Sequence, residues 1–149
     1  MGWIVLVIIA VVVIFFVSAS KPNKEEEARK CFYQGCTYIQ QNKDYDPDLA
    51  INYFTQAIQL NPNHGDAYLF RAEIYEKKGD YDKAIADYNE MVRIAPEIYI
   101  YERGCLYEKI GDFKKAIADS EETLRFNPNH VGAIDSLKEA RQKLASTGV

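Results

Sequence analysis

Three cysteines, two histidines, a carboxylate-rich run and two glycine turns are the places where this chain could do chemistry. Cys31 and Cys36 are five residues apart, which is neither the C-x-x-C spacing of a metal or redox pair nor one face of a helix. With Cys105 the thiols are odd in number, so no secreted disulfide framework uses them all, and free thiols fit a reducing compartment. His64 and His130 each follow Asn-Pro-Asn, and neither loop places a Cys, Asp or Ser at a spacing that completes a nucleophilic or metal set. The run Asp44-Tyr45-Asp46-Pro47-Asp48 has the acids of a calcium loop, but Leu49 and Thr55 stand where such a loop needs Gly and Glu. Asp46 reads instead as a helix cap, with Pro47 in the first turn and Asp48 facing the positive end of the dipole. Gly79 and Gly111 are not followed by Lys-Ser or Lys-Thr, so they read as helix ends and not as a phosphate cradle. The residues therefore predict no catalytic set, no metal site and no cofactor, which is the profile of a non-enzyme.

What must position these residues is a short chain of 149 residues with 22 acids against 18 bases and a net charge of −4. That balance lacks the basic footprint of a nucleic-acid binder, and five of the eleven tyrosines, Tyr38, Tyr75, Tyr81, Tyr88 and Tyr107, have a place in the repeat core, while Tyr33, Tyr53, Tyr99 and Tyr101 do not. From Trp3 to Val17 all 15 residues are apolar, near the lower limit for crossing a hydrocarbon layer of roughly 30 Å. Lys21, Lys24, Arg29 and Lys30 follow the run, which by the positive-inside rule puts the rest of the chain on the cytoplasmic side of a single-pass anchor. Val17-Ser18-Ala19 would also pass as a cleavage site, so residues 1–20 read either as that anchor or as a signal peptide whose removal frees a secreted or periplasmic protein. Leu6 occupies the place where a myristoylation signal needs a hydroxyl residue. Residues 21–27 read as a charged linker.

The remainder is repetitive. GDYDKAIADY from Gly79 and GDFKKAIADS from Gly111 share seven of ten residues at a spacing of 32, and NPNH at Asn61 returns at Asn127, 66 residues on. A period near 33 is the range of helical solenoids. Small residues recur at Gly35, Ala72 and Gly104 and again at Ala50, Ala84 and Ala116, where they let paired helices approach closely. Tyr38, Tyr75 and Tyr107 follow the first set by one turn, and Pro62, Pro96 and Pro128 close each unit. The spacing predicts helices at about 25–42, 47–60, 65–78, 81–94, 97–110, 113–126 and 131–145. The last, with Ala133, Ile134, Leu137, Ala140, Arg141 and Leu144 on one stripe, reads as a solvating cap.

On these residues the chain resembles the tetratricopeptide repeat family, whose unit reads W-x-x-L-G-x-x-Y, then A-x-x-x-F, then P. The second unit matches with Ala72, Tyr75, Ala84 and Tyr88, and the third with Gly104, Tyr107 and Ala116, while Ser120 departs where an aromatic is expected. The first has Gly35, Tyr38, Ala50, Phe54 and Pro62, with a longer turn and with Cys31 in the place of the large residue. The resemblance implies an all-α solenoid of three hairpin units, about 28–64, 65–96 and 97–130, followed by a capping helix and tail over 131–149.

The resemblance also implies a concave surface, lined by the first helix of each unit, that takes a peptide or helix of a partner protein. By register it would contain Phe32, Cys36 and Ile39, then Leu69, Glu73 and Glu76, then Ile98, Tyr101, Cys105 and Glu108. Phe32, Leu69 and Tyr101 are expected to be exposed anchors with no task in the core. The family's carboxylate clamp for chaperone tails needs Lys, Asn, Asn, Lys and Arg where this chain has Phe32, Cys36, Phe70, Ile98 and Glu102, so the clamp is absent. Glu73 and Glu76 would repel a terminal carboxylate, and an apolar or basic peptide or helix suits the surface better. The resulting expectation is a membrane-anchored adaptor, scaffold or assembly subunit, without a nucleic-acid partner.

Overall fold

The computed structural model describes residues 23–146, so the apolar run and both readings of it lie outside the described residues. Seven helices follow one another with no strand among the described residues: α1 (Lys24–Gln41), α2 (Pro47–Leu60), α3 (Gly65–Lys78), α4 (Tyr81–Ile94), α5 (Pro96–Lys109), α6 (Phe113–Phe126) and α7 (Val131–Ser146). Each helix packs on the next, which makes a solenoid of three hairpins closed by α7. None of these helices is long and apolar enough to cross a membrane.

Local chemistry sets the ends. Asn23 accepts from the Glu25 amide at 3.2 Å, and Glu25 to Glu27 sit in the first turn against the dipole, so the stretch read as linker is helical from Lys24. Asp46 accepts from the Asp48 amide at 2.9 Å with Pro47 behind it, as expected for a helix start. Pro96 opens α5 and does not trail the second unit, because a proline lacking an amide hydrogen is best placed in a first turn. Gly79 and Gly111 end α3 and α5 with φ of 78° and 83°, the left-handed turn that only glycine takes without strain.

The small residues do what their recurrence suggested. Ala50, Ala84 and Ala116 are essentially fully buried, and a Cβ on Gly35 would stand 2.9 Å from Phe54 Cε1. At Gly104 it would stand 3.0 Å from Asp119 Cβ. Phe54, Tyr88 and Tyr107 fill the space beside these crossings. Two arginines then lace the units together. Arg71 donates to both carboxylate oxygens of Asp87 at 2.9 and 2.6 Å and to Thr55 Oγ1 at 2.9 Å. Arg103 repeats the device one unit later, to Asp119 at 2.9 and 2.7 Å and to Asn89 at 2.8 Å. Each guanidinium thus ties its own hairpin and the second helix of the unit before it. In the first unit the same register holds Gln34 and Tyr53, which line an open depression with Lys30, Tyr33 and Thr37.

The cap differs from its expected single stripe. Ala133 and Ala140 are buried, but Ile134 is 47% exposed and stands near Val131, which is 71% exposed. Ion pairs from Arg141 to Glu121 at 2.7 Å and from Lys143 to Glu108 at 3.4 Å hold α7 to the third unit.

Candidate functional site

The first helices of the units, α1, α3 and α5, carry the residues expected on the concave face. Their apolar members are less available than the register implied. Phe32 is half-buried, with its ring 5.8 Å from Phe54, 5.5 Å and edge-on from Phe70, and 4.8 Å from His64. Leu69 packs on the cluster of Tyr68, Tyr88 and Met91. Tyr101 lies 4.5 Å from the His130 ring and covers Gly132 so closely that a Cβ there would collide with its hydroxyl. These three were expected to be exposed anchors; they are half-buried struts, because His64 and His130 lie against the Phe32 and Tyr101 rings and the cluster around Met91 lies against Leu69. Ile98 alone of that strip is widely exposed, at 55%.

The polar members divide into committed and uncommitted carboxylates. Glu76 accepts from the Tyr88 hydroxyl at 2.9 Å and from Lys109 at 3.0 Å, and Glu108 takes Lys143 at 3.4 Å. Asp66 and Glu73 are exposed and form no ion pair among the described residues. Glu102 is half-buried, yet its Oε2 is sealed from solvent and has no hydrogen-bond partner. Burial pushes the Cys36 thiol up, and the Asp66 charge adds to it. Burial likewise raises Cys105, with Glu102, Glu108 and Glu76 adding against the hydrogen bond from Tyr101. Burial raises Tyr88, where Glu76, Glu73 and Glu102 all contribute, and raises Tyr99, where Asp66 and Glu102 contribute. The concave acids therefore share one negative field, and both concave thiols stay protonated and poorly nucleophilic at neutral pH. All three cysteines are free, and the described residues hold no group of His, Cys, Asp and Glu able to bind a metal.

Sequence reasoning missed three features. The loop histidines are working caps: Nδ1 of His64 accepts from the Ala67 amide at 3.3 Å, and Nδ1 of His130 from the Ala133 amide at 3.1 Å. The arginine ties were legible, since Arg71 and Arg103 each precede a small residue and Asp87 and Asp119 stand 16 residues later. Glu102 was placed by the clamp register alone, and its lack of a donor was not legible because that depends on what its neighbours bond to.

Models of the tetratricopeptide repeat match residues 38–97 and 99–130. The chain belongs to the tetratricopeptide repeat family. Over 56 residues it is 36% identical to the protein SGT1 homolog of Oryza sativa subsp. japonica, a match covering 38% of this chain and 15% of that protein. It spans 15% or less of the length of the curated relatives it matches. Among solved structures, the first tetratricopeptide domain of human RPAP3 is 26% identical with a TM-score of 0.64, covering 80% of this chain and 93% of that one. The first such domain of Spaghetti (RPAP3) bound to the HSP90 peptide SRMEEVD gives a TM-score of 0.68 at 24% identity, covering 81% and 95%. These likenesses establish the all-helical tetratricopeptide solenoid of the described residues.

Proposed function

We propose that this tetratricopeptide array is a protein-interaction adaptor that takes an apolar or basic peptide or helix of a partner on the concave side of α1, α3 and α5. The observation that carries it is the open Ile98 one turn from Glu102, whose Oε2 has no partner, with Asp66 and Glu73 exposed on α3: an apolar seat and a negative field on the first helices of the units. RPAP3 was solved with an acidic peptide, whereas the carboxylates here oppose such a ligand. Residues 3–19 hold the array at a membrane in this reading, with the repeats on the cytoplasmic, reducing side, as an adaptor or a subunit of a larger membrane complex. Val17-Ser18-Ala19 supports a second reading, release by cleavage, and the intact mass of the purified protein distinguishes the two.

The test is a photo-crosslinking side chain placed in living cells at Ile98 or, as control, at exposed Lys114 on α6. A protein adduct formed from position 98 and absent from position 114 is the expected outcome. Equal adducts from both positions would remove the concave face as the binding surface. In the same cells Cys31, Cys36 and Cys105 should stay unlabelled by a membrane-impermeant thiol reagent until lysis, and labelling before lysis would refute the orientation.

A further inference from the structure

Resting on the concave-face reading above, we infer that the partner is cationic and that one of its Lys or Arg side chains is received at Glu102, its apolar stem lying on Ile98. Ile98 and Glu102 are four residues apart on α5, so they share one helix face one turn apart. The pair offers an exposed apolar surface leading to an acceptor, which is the profile of a side chain with a hydrocarbon stem and a charged head. Oε2 of Glu102 is sealed and without a donor, while the other half-buried concave carboxylates, Glu76 and Glu108, each have one. That oxygen is closed to a ligand as it is to water, but the rest of the half-buried carboxylate also lacks a donor among the described residues, so it offers a cation an acceptor that is already partly desolvated.

The described residues do not supply that donor themselves. Arg103 is held by Asp119 and Asn89, and Lys109 by Glu76, so the cations of α5 are committed. Asp66 and Glu73 add negative charge from α3 and have no cation of their own. Their field acts on the same tyrosines as that of Glu102, which places the three acids around one stretch of surface. An anionic or C-terminal carboxylate ligand meets the wrong sign at each of them, whereas a basic amphipathic segment meets the right sign beside an apolar seat.

The experiment selects a phage-displayed library of random dodecapeptides on the full chain in detergent. The expected pool is enriched about threefold or more in Lys and Arg next to apolar residues. Its peptides should lose about tenfold in affinity on Glu102→Gln and little on Glu108→Gln, with helicity unchanged by circular dichroism. Peptides whose basic residue is changed to Glu should regain binding on Glu102→Lys, a swap that reads charge and not folding. A pool neutral or acidic in composition, or one indifferent to Glu102→Gln and to the swap, overturns the inference while loss on Ile98→Asp still upholds the concave face. Binding unaffected by Ile98→Asp, or no selection at all, overturns the concave-face reading and the inference with it.

Discussion

Arg71 and Asp87 show how little of an ion pair's value is visible in its distances. Their side chains are 16% and 5% exposed, and burial pushes the Asp87 carboxyl above its usual value against the pull of Arg71. Asp87 in turn holds the Arg71 guanidinium in its charged form, so burial of the two charges and their mutual attraction largely offset each other. The pair is therefore a positioning device, and removing one member strands the other. Asp87→Ala is expected to cost about 3 kcal/mol in denaturant melts, and the joint replacement Arg71→Met with Asp87→Leu distinctly less. A single variant as stable as wild type would show that solvent reaches the pair.

At the scale of the helix, the sequence was close to sufficient. The predicted helices agree with α1 to α7 to about a residue at each end, because Asn23, Asp46, Gly79, Gly111 and the prolines are local signals that need no tertiary partner. The side-chain orientations were not legible on the same terms. Phe32 and Tyr101 turn inward because His64 and His130 arrive from the following loops, and helix register fixes a face without fixing what lies against it. Asp112 gives an element-scale prediction, since it caps α6 through the Lys115 amide at 3.2 Å and pairs with the Lys115 ammonium at 2.8 Å. The hydrogen bond from Lys115 holds its carboxyl below the usual range. That contribution is fully present above the ordinary carboxylate value and is lost as pH falls through the lowered one. Thermal melts between about pH 6 and about pH 2 should therefore fall less steeply for Asp112→Asn, which keeps a capping oxygen, than for wild type. Parallel curves would mean the cap does not titrate.

Across the whole molecule, the succession of three hairpins and a closing helix could be read from the residues, whereas the division between committed and uncommitted acids could not, being a property of the assembled surface. The arginine ties have a mechanical consequence. Arg71 ties α3 to α2 through Thr55 and Arg103 ties α5 to α4 through Asn89, but inside the first hairpin Gln34 and Tyr53 stand at the tying positions, so α1 is held to α2 without such a pair. A chain pulled from its N-terminus should yield there first. Optical-tweezer traces should open with a step on the order of 6 nm, the contour of Lys24 to Gln41 at about 3.5 Å per residue, before the tied helices release. Simultaneous rupture of all units would deny the weak first link. If residues 3–19 anchor the chain as proposed, α1 would act as a fuse, giving way under load while the tied helices behind it stay folded.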